Sequence, residues 1–201
     1  MTFEVGIPEV ATKAYADDGT NIDDLVYAVY RTDRDNLADA LSEKDLHFVY
    51  QKNYSSKVVF NNGSTTIPIE LINNQNYLIV FWAQVDDAWV KGTDFNLFEV
   101  KYPNEMDANS QKLEAFSGTS FITNVTSGRN EKVTLKRPFA QINLATKLPQ
   151  TFEATISESS MAVVGAPVSF NAIEQIASTD VTTTAEPLNF KNAGIPCGDF
   201  K

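Results

Sequence analysis

The stretch Asn76-Tyr-Leu-Ile-Val-Phe-Trp-Ala-Gln84 carries no charge and, between its polar ends, no turn residue. It is far shorter than the roughly 18–20 apolar residues that span a bilayer, and β-branched and aromatic side chains dominate it. It reads as a central strand with apolar residues on both faces, as in the middle of a sandwich. Asp24–Arg31 (Asp-Leu-Val-Tyr-Ala-Val-Tyr-Arg) has the same character. Elsewhere the dominant period is two, with turn residues between short runs. Thr2–Ile7 is a short alternating strand ended by Pro8, and 14–23 is a polar loop. Leu46–Tyr50 and Lys57–Phe60 are strand-like, and Asn61-Asn62-Gly63-Ser64 signals a hairpin into Thr65–Leu71. Pro68 inside that last run marks an edge strand or a bulge. Strands are also expected at Asp94–Tyr102, Glu131–Arg137, Phe139–Thr146, Phe152–Ile156, Met161–Val164 and Val168–Phe170. Residues 103–130 are expected to be mixed and loop-rich, and 177–201 carries little hydrophobic pattern. A short helix is expected within Arg34–Asp45, where Leu37, Ala38 and Leu41 share a face.

Many short strands and almost no helix define an all-β chain, a β-sandwich. A domain boundary is placed around Leu148-Pro149-Gln150. It separates an N-terminal sandwich over 1–148 from the start of a second β-domain over 149–201 that looks incomplete, because so few large apolar residues make a marginal core.

The balance of 16 basic against 26 acidic residues gives a formal charge of −10. Nucleic acid and anionic membrane surfaces are therefore poor partners, since both depend on Lys and Arg. A single cysteine, Cys197, excludes an intrachain disulfide and a Cys-based zinc site. The start of the chain alternates instead of forming an apolar leader.

Chemistry is sparse. His47, the one histidine, lies in a strand-like run and reads as a structural or surface residue, and Cys197 has no second histidine to serve it. No nucleophile elbow, zinc-protease motif, dinucleotide fingerprint or P-loop occurs. The acidic pairs Asp17/Asp18, Asp23/Asp24, Asp33/Asp35 and Asp86/Asp87 are of the type that binds calcium or cleaves glycosides. In an acidic chain, however, such pairs in loops read as solvated. No catalytic residue, cofactor or metal is expected. Trp82, Trp89, Tyr50, Tyr54 and Tyr77 are the aromatic candidates for a sugar-stacking platform. Trp82 reads as core, and Trp89, in a polar stretch, is the possible ligand contact.

Three stretches resemble the fimbrillin-like surface lipoproteins of Bacteroidales, the major and minor fimbrial subunits and their relatives. They are Val10–Gly19 followed by Asp24–Tyr30, then Tyr77–Gln84, then Val133-Thr-Leu-Lys-Arg-Pro-Phe-Ala-Gln-Ile-Asn-Leu144; Asp107–Phe121 is a looser match. Together they cover most of 1–147. The resemblance implies a two-domain subunit of transthyretin-like sandwiches, made as an exported lipoprotein and trimmed by a trypsin-like protease. Cleavage after a basic residue removes the first strand, and a neighbouring subunit's strand fills the groove. Carried onto this chain, the processing site is Lys13, where relatives often carry Arg. The removable strand is Thr2, Phe3, Glu4, Val5, Gly6 and Ile7. The implied partners are other fimbrial subunits and, in the alternative, a host protein or glycan bound by a non-polymerising surface sandwich. An enzyme would need carboxylates converging in a cleft.

Overall fold

The computed structural model describes residues 1–7, 22–54, 60, 63–92, 94–103, 110–139, 158–180 and 186–191. Its described residues form twelve strands and one short helix, and the protein is an all-β sandwich.

The centre is a four-stranded antiparallel sheet. Its strands are β2 (Asp24–Thr32), β3 (His47–Asn53), β5 (Asn76–Gln84) and β7 (Ala115–Ile122), in the order β3-β2-β5-β7. A second sheet has the order β4-β1-β8, from β1 (Thr2–Gly6), β4 (Ser64–Pro68) and β8 (Asn130–Thr134). Further on, β6 (Val100–Lys101) pairs with β10 (Ser169–Asn171), which also pairs with β11 (Ile176–Ala177). The strands β9 (Glu158–Val163) and β12 (Glu186–Lys191) form an antiparallel pair.

The uniform apolarity of β2 and β5 has a direct cause: their sheet is covered on both faces. One face, with Tyr27, Val29, Ile79 and Phe81, packs against Phe3, Val5 and Ile67 of the three-stranded sheet. The other, with Val26, Ala28, Val80 and Trp82, packs against Phe95, Leu97, Phe170 and Ile173. An antiparallel sheet ordinarily keeps one face wet and alternates; this one has no wet face at its centre, so alternation disappears. Phe170, Ala172 and Ile173, from the stretch beyond 149, complete this second core, and β10 joins β6 in a ladder.

Expectation and structure part in four places. The expected strand Asp94–Tyr102 is reduced to Val100–Lys101. Phe95 and Leu97 are buried from a loop instead, because Asn96 accepts the Phe98 N–H on its side chain (2.9 Å) and turns the chain out of extension. The loop-rich stretch 103–130 contains β7, an eight-residue strand. Its Ser-Gly centre hid it, and that centre is what the packing requires: a Cβ at Gly118 would lie 2.9 Å from Leu135 Cδ2. The patternless tail 177–201 contains β12, and β11 runs into its first residue. The helix, α1 (Leu37–Ser42), is shorter than expected and turns Ala40, not Ala38, into the core, with Leu37 and Leu41 half-buried beside it. Asn36 caps it through the Asp39 N–H (2.9 Å). The expected strands over 140–157, and residues 57–59 of Lys57–Phe60, lie outside the described residues.

Candidate functional site

The strand β1 is the middle strand of its sheet. It runs antiparallel to β4 (Phe3↔Ile67, Val5↔Thr65) and parallel to β8 (Phe3↔Glu131, Val5↔Val133), so its backbone is paired on both sides. Bonds beyond the ladder extend the seam: Ile7 N–H to the Gly63 carbonyl (2.7 Å) and Leu135 N–H to the Gly6 carbonyl (2.8 Å). Gly63 has φ +75°, and a Cβ there would lie 3.3 Å from the Ile7 carbonyl, so glycine suits both the turn and the contact.

The alternation of Thr2–Ile7 becomes a clean inside and outside. Phe3 and Val5 are fully buried and Ile7 nearly so, whereas Thr2, Glu4 and Gly6 are half-buried on the opposite face. The Phe3 ring lies 5.6 Å from that of Phe81 on the central sheet. On the outer face Glu4 pairs with Lys132 of β8 (3.0 Å), largely in water. Taking β1 away would open a slot bounded by the edges of β4 and β8 and floored by Phe81. The candidate removable residues thus share one site. Lys13, the candidate processing position, lies outside the described residues, as does Cys197.

The aromatic candidates divide between the two cores. Tyr50, Tyr54 and Tyr77 lie on the Phe3 side, where Tyr27 stacks on Tyr54 (5.8 Å) and meets Tyr50 edge-on (5.9 Å). Trp82 is fully buried on the other side, as expected, with Trp89 against it. No single platform is formed, since the sheet separates the two groups. Trp89 is half-buried: its ring stacks on Phe139 (4.9 Å, 10° between planes) and meets Tyr102 edge-on (5.6 Å).

His47 is exposed and bonded to Asp45 (3.0 Å). Asp45 also accepts from the Thr32 hydroxyl and the Asp33 N–H and pairs with Arg34. Partial burial works against that charge, but these donors win and hold the Asp45 carboxyl below its ordinary range. The cluster fixes the β2–α1 corner and brings no nucleophile to the histidine. Among the described residues no helix is long and apolar enough to cross a membrane, and no group of three His, Cys, Asp or Glu side chains is placed to hold a metal.

Two acidic pairs far apart in sequence do converge. Asp24 begins β2 with Asp23 just ahead of it, and Asp86 and Asp87 follow β5. Gln84 organises this corner: its Nε2 donates to Asp24 Oδ2 (2.6 Å) and the Val90 carbonyl (2.7 Å), while its Oε1 accepts from Val90 N–H (2.9 Å) and Trp82 Nε1 (3.2 Å). Burial pushes the Asp24 carboxyl up to about 7, with Asp87 and Asp23 adding to the rise and Gln84 opposing it. The sequence signal for Gln84 was a polar residue closing the most apolar run. Glu114 and Arg137, a half-buried ion pair (2.5 Å), escaped sequence reasoning entirely.

A middle strand, β1, seated between β4 and β8 over a doubly covered sheet defines the class: an all-β sandwich. The chain belongs to the family described as a family of unknown function, DUF6562, whose model matches residues 1–192. No curated protein matches its sequence. Among solved structures it is similar to a fimbrial assembly protein from Parabacteroides distasonis (TM-score 0.48, 15% identity, 94% of this chain and 74% of that one). A DUF1812 protein from Bacteroides thetaiotaomicron is also similar (TM-score 0.46, 9% identity, 94% and 71%). So is the fimbrial anchor protein from Porphyromonas gingivalis (TM-score 0.40, 13% identity, 94% and 65%).

Proposed function

We propose that this protein is a structural or adhesive subunit of a bacterial surface fimbria, held to other subunits by exchange of the strand in the β1 slot, and not an enzyme. The observation that carries this is the seating of β1 between β4 and β8 with Phe3, Val5 and Ile7 in the core. A strand so placed leaves, on removal, two unpaired edges and an apolar slot, and an incoming strand restores both. Each inward side chain contributes about 1.5–3 kcal/mol and each backbone bond about 0.5–1.5 kcal/mol net. A donated strand of this length therefore joins subunits firmly without a disulfide. On this proposal the precursor is a lipid-anchored, outer-membrane protein with transthyretin-like sandwiches, processed after Lys13, and its partners are further fimbrial subunits. The sequence resemblance across 1–147 supports it independently of the slot.

The depth of the same strand favours a second reading, a non-polymerising surface sandwich that retains β1 and binds a glycan or host protein. Brief trypsin treatment of the folded protein, followed by intact-mass analysis and size-exclusion chromatography, separates the two. A single early cut after Lys13, with the remainder folded and able to take up a peptide of residues 1–7, is the expected outcome. Resistance at Lys13 while other loops are cut would end the processing proposal there and leave the retained-strand module.

A further inference from the structure

The converging acidic corner holds a problem of buried charge. Asp24 is 1% exposed, and its Oδ1 receives no hydrogen bond. Asp87 Oδ1 is likewise shielded from solvent and has no donor. The two carboxyls lie within hydrogen-bonding reach of each other. Two ionised carboxylates facing without a donor would repel in a poorly solvated site. One proton removes the conflict, because the protonated carboxyl donates to the ionised one and both orphan oxygens gain a partner.

We propose that Asp24 and Asp87 share one proton, and that this proton latches the 85–90 turn, carrying Trp89, onto the start of β2. The turn is built to be released. Asp86 and Asp87 both adopt left-handed backbone conformations (φ +47° and +52°), which non-glycine residues hold only when their surroundings impose it. What imposes it is the Gln84 amide on Val90, the Asp23 carboxylate on the Asp86 N–H (2.8 Å), and the Asp24–Asp87 contact. Loss of the proton turns the last of these from attraction to repulsion and frees the turn, together with the stacking of Trp89 on Phe139.

Among the described residues no donor reaches either orphan oxygen. Asp23, just ahead of β2, adds negative charge. Lys112, from the 3-10 turn Gln111–Leu113, is bonded to Asp86 (2.7 Å). Glu114, ahead of β7, is held by Arg137. The raised Asp24 value gives the sign. In the unfolded chain the carboxyl ionises at about 3.9, whereas folded it keeps its proton to about 7. Folding is therefore favoured most below the lower value and loses stability as pH rises through that window.

The test is a carboxyl-carbon NMR titration of the folded protein, with tryptophan fluorescence followed over the same range. Asp24 is expected to titrate near neutrality, with a fluorescence change at the same midpoint that a Trp89→Phe variant abolishes. In Asp87→Asn the side-chain amide donates permanently to Asp24. There the Asp24 midpoint should fall by more than about one pH unit and the fluorescence step near neutrality should vanish. An Asp24 midpoint in the ordinary carboxylate range would overturn the proposal in the unmodified protein alone. So would a midpoint that Asp87→Asn leaves in place, or a fluorescence signal flat across it. A saturable lowering of the midpoint by added calcium would assign the pair to a cation and overturn proton sharing.

Discussion

At the scale of single residues, Gln84 has no neighbour that could replace it. Its amide satisfies Asp24, the Trp82 indole and both polar groups of Val90 inside an otherwise apolar surround. A Gln84→Leu change keeps the size and suits the apolar surround but orphans those groups, each of which costs about 1–3 kcal/mol when buried without a partner. Urea denaturation should show a loss of about 3 kcal/mol or more, well above the roughly 1 kcal/mol typical of a point substitution; a loss below that typical value would mean that Gln84 does not organise the corner. Gly118 makes the complementary case of space. Alanine there forces the Leu135 side chain aside, since its Cβ would start 2.9 Å from Cδ2. The expected loss is about 1–2 kcal/mol from overpacking, and it should shrink in a Gly118→Ala, Leu135→Val double variant that returns the room.

At the scale of elements, β1 shows how alternation becomes an inside and an outside. Phe3→Ala should cost about 3–5 kcal/mol because the ring is fully buried against Phe81. Glu4→Ala should cost no more than about 1 kcal/mol, since its pair with Lys132 is largely in water. Equal losses at the two positions, measured by chemical denaturation, would contradict the register. The inward Phe3, Val5 and Ile7 were legible in the sequence because period two over a short run has one reading once a core exists. The two-sided burial of β2 and β5 was legible because no other arrangement tolerates unbroken apolar runs. What stayed hidden had no local signature. In β7 the requirement is smallness at Gly118, set by Leu135, and smallness looks like loop. Asp94–Tyr102 looks like strand because Phe95 and Leu97 alternate, yet the Asn96 side chain diverts the backbone. The acidic corner joins positions about sixty residues apart through Gln84 and Asp24, a pairing that strand register creates and composition cannot reveal.

At the scale of the whole molecule, the central sheet is one layer shared by two cores. Tyr27, Phe81 and their neighbours serve one face, and Val26, Val80 and Trp82 serve the other, on the same strands. Neither core can be lost while β2 and β5 stay ordered, for each strand would then expose a continuous apolar face. The described part of the molecule should therefore unfold as one cooperative unit despite its several sheets. Tryptophan fluorescence reports the Trp82 core, and tyrosine near-ultraviolet dichroism is weighted towards the Tyr27–Tyr50–Tyr54 group on the other face. The two signals should share one urea midpoint. Phe170→Ala, which removes a ring packed on Trp82 from beyond the expected domain boundary, should lower both midpoints together, by an amount equivalent to about 3–5 kcal/mol. A split, with the tryptophan signal moving alone, would mean that the layer beneath Phe170 is an independent unit and that the slot side holds the central sheet by itself. That outcome would also make β1 the principal cover of the sheet, and its removal would then unfold the protein and not merely open a slot.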